Sequence, residues 1–166
     1  MSCPHTRVKT ENLPLLAEGS EHSVYFNAAK VEVLKVTKSG IYGDYYELID
    51  GRIHQFQCTP VEYLIRMLLL KKHFGFSQQT LGITDRLQIV SRQKFIVGDP
   101  PSQEVVDTFL KNAGLIPVKQ RYWLWRGVPR DGLEPWVGDA RADNFVITAR
   151  GIVPIDLRMW QVAHSP

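Results

Sequence analysis

The sequence is poor in residues that cross-link or ligate. Only two cysteines occur, Cys3 and Cys58, which gives neither a disulfide framework nor the paired spacing of a zinc site. The five histidines, at positions 5, 22, 54, 73 and 164, are scattered and form no metal pattern with one another. Long hydrophobic runs are missing as well. The longest apolar segment, Val61 to Leu70, is interrupted by Glu62 and Arg66 and is too short to span a bilayer, so no membrane partner is expected. The net charge of +3 comes from lysines and arginines spread along the chain rather than gathered in a block, which argues against nucleic-acid binding. Met1 to Arg7 has no apolar run behind it, so no secretory signal is expected and a cytoplasmic address follows by default. There is no internal repeat and no low-complexity segment.

What is present suits a globular protein. With 166 residues, 44% hydrophobic and 22% charged, the chain is long enough to bury a core, as one domain or as two small lobes sharing a cleft. Residues 1–12 are polar and aperiodic and read as a flexible leader. Leu13–Ala17, Val24–Phe26 and Val31–Val36 read as strands, with a turn at Glu18–Ser23. Tyr45–Ile49 and Arg52–Phe56 flank Asp50-Gly51, a dipeptide suited to a two-residue hairpin turn.

Thr59 is placed to cap a helix that has Pro60 at its first position and Glu62 in its first turn, and Gly75 to end it. Val61, Leu64, Ile65, Leu68 and Leu69 recur at helical spacing and are expected to be the buried stripe. Arg86–Val90 and Lys94–Val97 read as an antiparallel pair turning at Ser91–Gln93. Gly98-Asp99-Pro100-Pro101 breaks the sheet, Ser102 caps a second helix through about Ala113, and Gly114 closes it. Tyr122 to Trp125 form an aromatic cluster suited to core packing, and residues 126–136 read as a turn-rich loop.

The chemistry gathers near the end of the chain. A polar loop carries Asp139 and Asn144. An apolar strand follows, the chain turns at Ala149–Gly151, and a second apolar strand delivers Asp156. A hairpin of this kind returns two carboxylates and an amide to one edge. Two carboxylates about 4 Å apart repel by about 4 kcal/mol at an effective dielectric near 20. A hard cation such as magnesium would remove that cost, and it is usually held by one or two carboxylates plus substrate phosphates.

Val137-Gly138-Asp139, with Arg141 two residues and Asn144 five residues past the aspartate, and Asp156 beyond, resembles the catalytic loop and metal aspartate of the protein-kinase-like superfamily. Val33-Leu34-Lys35-Val36 is similar to the family's lysine strand. Aligned on Val24, its three-glycine loop becomes Ala17-x-Gly19-x-x-His22-x-Val24, with only the middle glycine kept. Val137 stands where the family has His, and Leu157-Arg158 where it has Phe-Gly. Val61-Glu62-Tyr63-Leu64, Val97-Gly98-Asp99 and the Gly138–Asn144 loop resemble most closely the small kinase-like domains of phage and mobile-element polyvalent proteins.

The resemblance implies an α+β, two-lobed protein-kinase-like fold with an antiparallel-sheet N-lobe over 13–98, including a hairpin insertion at 41–57, and a strongly reduced C-lobe over 99–166. It ends where the family is normally half finished, before any activation segment. It further implies ATP and Mg2+ as cofactors and phosphoryl transfer to the hydroxyl of an unidentified protein acceptor. Gly19, Val24 and Val97 would line the nucleotide, Val97 at the hinge. Lys35, held by Glu62, would meet the phosphates, Asn144 and Asp156 the metal. Asp139 would orient the acceptor hydroxyl, with Arg141 offsetting charge on the transferred group. Two alternatives stay open: a nucleotide-binding pseudokinase that regulates a partner, and a partner-binding domain that needs no nucleotide. Several residues also keep plainer readings. Gly19 suits an ordinary hairpin turn, Lys35 an outward-facing strand lysine, Glu62 compensation of the helix dipole, and the segment at 97–101 a simple linker.

Overall fold

The computed structural model describes residues 13–163 except Ser77, Gln120 and Tyr122. The expected leader, 1–12, lies outside them. In chain order the first half holds strands β1 (Leu15–Glu18), β2 (His22–Asn27), β3 (Glu32–Thr37), β4 (Asp44–Ile49) and β5 (Arg52–Gln57), then helix α1 (Pro60–Phe74). Strands β6 (Gln78–Ile83) and β7 (Ile89–Lys94) follow, then helix α2 (Gln103–Asn112) and the short strands β8 (Ile116–Pro117) and β9 (Trp125–Arg126). Strand β10 (Leu133–Gly138), a 3-10 turn (Ala142–Asn144), β11 (Phe145–Thr148), β12 (Gly151–Pro154) and β13 (Arg158–Ala163) complete it. Strand outweighs helix, 45% to 19%, and the sheets are antiparallel, so the protein is a sheet-rich α+β chain.

Two compact units emerge. The first takes residues 13–43 and 78–95 and is one antiparallel sheet in the order β1-β2-β3-β7-β6. Its middle strand, β3, is buried from Val33 to Thr37. Polar β7 residues are accommodated by bonding: Ser91 is fully buried and accepts from Gln78 Nε2 at 2.6 Å. That explains one correction. The Ser91–Gln93 stretch, expected as a turn for its polarity, lies inside β7, and the chain turns earlier. Thr84 Oγ1 accepts from the amides of Arg86 (3.3 Å) and Gln88 (3.2 Å), while Leu87 takes a left-handed φ of 57°. Lys94 ends the strand, so the expected Lys94–Val97 strand does not form.

The second unit takes residues 44–76 and 96–163. Its main sheet runs β13-β10-β9-β8, beside the hairpins β4–β5 and β11–β12. Whereas the expected lobes were 13–98 and 99–166, residues 44–76 group here with the second unit, which the chain re-enters at Ile96. Helix α1 packs on β13. The β4–β5 hairpin is tied to β13 by Arg158 Nη1 to Asp44 Oδ2 (3.2 Å) and Trp160 Nε1 to the Tyr46 carbonyl (2.8 Å). Its turn is as the sequence implied, with Asp50 and Gly51 at φ 49° and 74°.

Helix α1 has the expected ends: Thr59 and Glu62 form a reciprocal capping box, Pro60 opens it, and Gly75 closes it in left-handed conformation. The expected buried stripe is wrong, however. Tyr63, Arg66, Met67, Leu69 and Leu70 are buried, whereas Val61, Ile65 and Leu68 are exposed. The helix is apolar on most of its circumference, so spacing alone did not select a face. Residues 126–136 are not all loop, since β10 starts at Leu133. Strand β13, which the sequence reading left unassigned, pairs with β10 along all six residues.

Candidate functional site

Strands β10 and β13 end on one rung, Gly138 opposite Arg158. Paired Cα atoms across such a rung lie about 4.5–5.5 Å apart. Asp139 is the next residue beyond it on one strand, and Asp156 lies two residues before it on the other. The backbones carrying the two acids therefore leave the sheet side by side. Glycine at 138 matters because a Cβ there would lie 3.0 Å from the Trp160 ring.

Asp139 itself sits at φ 58°, a left-handed conformation that aspartate tolerates better than most side chains. It turns the chain so that Asn144 closes the loop. Asn144 Nδ2 donates to the Asp139 carbonyl at 2.7 Å, and the Asn144 carbonyl accepts from the amides of Ile155 (2.8 Å) and Asp156 (3.4 Å). One residue thus joins the two loops. Apolar anchors hold the loops from beneath: Val137 and Ala140 flank Asp139, Phe145 follows Asn144 and Leu157 follows Asp156, all within one buried core cluster. Full burial of a Phe or Leu side chain contributes about 1.5–3 kcal/mol, so the loop is fixed by packing as well as by hydrogen bonds.

A further clamp was not found from the sequence. Gln103, the first residue of α2, donates through Nε2 to the Ala140 carbonyl (2.9 Å) and accepts through Oε1 from the Ala142 amide (3.0 Å). Its only sequence signal was its place just after a helix cap. Arg141 is half-exposed and pairs with Asp139 Oδ1 at 3.3 Å and Asp143 Oδ2 at 3.0 Å. Pairs this exposed stabilise by about 0–1 kcal/mol, so the guanidinium can leave Asp139 at little cost.

Among the described residues, no three His, Cys, Asp or Glu side chains gather as a metal site. The oxygen donors that these loops could offer a cation are the Asn144 amide and the Asp156 carboxylate. With Nδ2 bonded to the Asp139 carbonyl, Oδ1 is the remaining acceptor of the Asn144 amide, and Asp156, exposed, is tied to Asn144 through its backbone amide. Two protein oxygens are what a cation shared with substrate phosphates uses.

The remaining candidates are distributed over both units. In the first, Val24 lies directly opposite Lys35 across the β2–β3 ladder, and Ser91 opposite Lys35 on the other side, so the three share a face. Lys35 is buried rather than outward-facing. Gly19 closes the β1–β2 turn by donating its amide to the His22 carbonyl at 2.9 Å, as an ordinary hairpin turn does. In the second, Glu62 Oε2 accepts from the Thr59 amide at 2.6 Å, which gives it the capping role. Val97 is 77% exposed, beside Gly98, whose absent Cβ lets the chain lie against β11. The Asp99 carbonyl accepts there from the Ile147 amide at 2.8 Å.

Comparison with family models, with curated proteins and with solved structures finds no match.

Proposed function

We propose that the chain is a minimal kinase-like phosphotransferase that uses ATP and magnesium to phosphorylate a protein hydroxyl. One observation carries this reading: Asn144 ties the Asp139 loop to the Asp156 loop, bringing together the three residue types the resemblance assigns to acceptor orientation and metal binding. The antiparallel first unit, with a buried lysine in its middle strand, supports it.

In this reading Asn144 and Asp156 hold the metal, which when bound neutralises charge on the phosphates. Asp139 accepts a hydrogen bond from the acceptor hydroxyl and orients it for in-line attack. To do so its carboxylate exchanges Arg141 for the hydroxyl, and Arg141 is then available to the transferred phosphoryl group. The resemblance would further assign Lys35 to the phosphates and Val24 and Val97 to the base.

A second reading, a nucleotide-binding pseudokinase, is favoured by one detail. The Gly19 amide is committed to its own turn.

The test has two stages. Mg·ATP is expected to raise the melting temperature, because a ligand confined to the folded state stabilises it, by about 2.7 kcal/mol at a hundredfold excess over Kd. Asp156→Ala and Lys35→Ala should abolish that rise, and its absence in the unaltered chain would remove both readings. Transfer of labelled phosphate, lost in Asp139→Ala while the thermal shift persists, supports the enzyme. A shift without transfer leaves the pseudokinase.

A further inference from the structure

Helix α1 is apolar on two sides. Tyr63, Met67, Leu69 and Leu70 are buried, whereas Val61, Ile65 and Leu68 are 64%, 47% and 68% exposed. The exposed three are spaced by four positions and then three, and Lys72, also exposed, follows four further on. At 3.6 residues per turn all four fall within an arc of about 60°. A seam spaced alternately by four and three is the pattern by which one helix packs its side chains into the gaps of another.

Charge along this seam is divided. Its N-terminal end is acidic: Glu62 stands in the first turn, and Glu47 of β4 shares a hollow with Glu62 and Ile65. Buried Arg66 also lines that hollow, one guanidinium against these two carboxylates, while Asp44 there is paired with Arg158. The C-terminal end is basic, with Lys71 and Lys72 exposed. A parallel neighbour of the same sequence would set lysine against lysine. An antiparallel one sets lysine against glutamate, and a single register then satisfies the whole seam. Ile65 meets Leu68 of the second copy, Val61 meets the stem of that copy's Lys72, and a twofold axis repeats both contacts. Lys72 lies about 15 Å along the axis from Glu62 of its own helix, so its ammonium is carried to Glu62 and Glu47 of the other.

We propose that the Val61, Ile65 and Leu68 face of α1 is the contact surface for a second copy of this chain, the two helices antiparallel about a twofold axis. The inference is independent of the phosphotransfer reading. Four positions make a short seam, so the dimer is expected to dissociate at about 10–100 µM.

Sedimentation equilibrium of the full chain, at concentrations on both sides of that range, tests it. The apparent mass should rise from 19.0 kDa toward twice that value. Leu68→Glu, at a position the fold leaves exposed, should hold the chain monomeric with native circular dichroism. Glu47→Lys and Lys72→Glu should each weaken association several-fold by placing like charges together, and the double variant, which exchanges the two charges, should recover most of the loss. A monomer at every concentration, which would leave the face to a different protein, overturns the proposal. So does a dimer indifferent to Leu68→Glu, or a double variant no tighter than either single one.

Discussion

Replacing Gly98 by alanine should separate the segment after β7 from β11. The new Cβ would lie 2.0 Å from the Ile147 carbonyl oxygen, 2.6 Å from Val146 Cγ1 and 3.0 Å from the Ile147 carbonyl carbon. Backbone is in the way, so rotating a side chain gives no relief. Retreating to a tolerable contact needs a shift of about 1 Å, which stretches the Ile147 to Asp99 hydrogen bond, now 2.8 Å, beyond useful length. Overpacking costs about 1–3 kcal/mol and the lost bond about 0.5–1.5 kcal/mol, so the expected destabilisation is about 2–4 kcal/mol. Urea denaturation measures it. With slopes of about 1–3 kcal/mol per molar, the midpoint should fall by roughly 1 M or more at unchanged slope. Gly19→Ala is the control, because its nearest neighbour would be the His22 carbonyl oxygen at 3.8 Å, an ordinary contact. If the two alanines behave alike, the close approach at 98 is not what requires glycine there.

Gln103→Ala leaves the Ala140 carbonyl and the Ala142 amide without their clamp. A loss of about 1–3 kcal/mol is expected, with faster hydrogen exchange at the Ala142 amide, and unchanged exchange would show that the loop holds itself. Acidification should destabilise the fold in part through His73. Partial burial, then Lys72 and Arg130, lower its pKa, so the unfolded chain takes up the proton more readily. Stability is therefore complete above the unfolded-state pKa and falls as pH drops through it toward the folded value. His73→Gln should flatten that acid limb in a series of denaturant melts, and an identical limb would refute the assignment. Mg·ATP stabilisation, lost in Asp156→Ala, remains the prediction closest to function.

How much of this was legible depended on whether a local rule governed the outcome. Thr59, Pro60, Glu62 and Gly75 set the limits of α1, and Asp50-Gly51 fixed a hairpin, because caps and tight turns are decided by a few neighbouring residues. Long-range pairing was harder to read. Ser91 and Gln93 looked like a turn, since nothing local says that Gln78 will cover Ser91. The face of α1 was misjudged because β13, which the helix packs on, was itself missed. Asp139, Asn144 and Asp156 could be singled out by residue type and spacing. Gln103 could not, because its two bonds reach across 37 and 39 positions.

The rung between Gly138 and Arg158 has a consequence for how this chain can vary. Lengthening the connection between β11 and β12 should be harmless to the acids, since that turn lies at the hairpin's other end. Adding or deleting one residue between 138 and 139, or between 156 and 158, would change the stride from sheet to carboxylate. Tolerance of insertions should therefore be sharply uneven along this short stretch, wide at Ala149 and Arg150 and nearly nil beside Asp139 and Asp156.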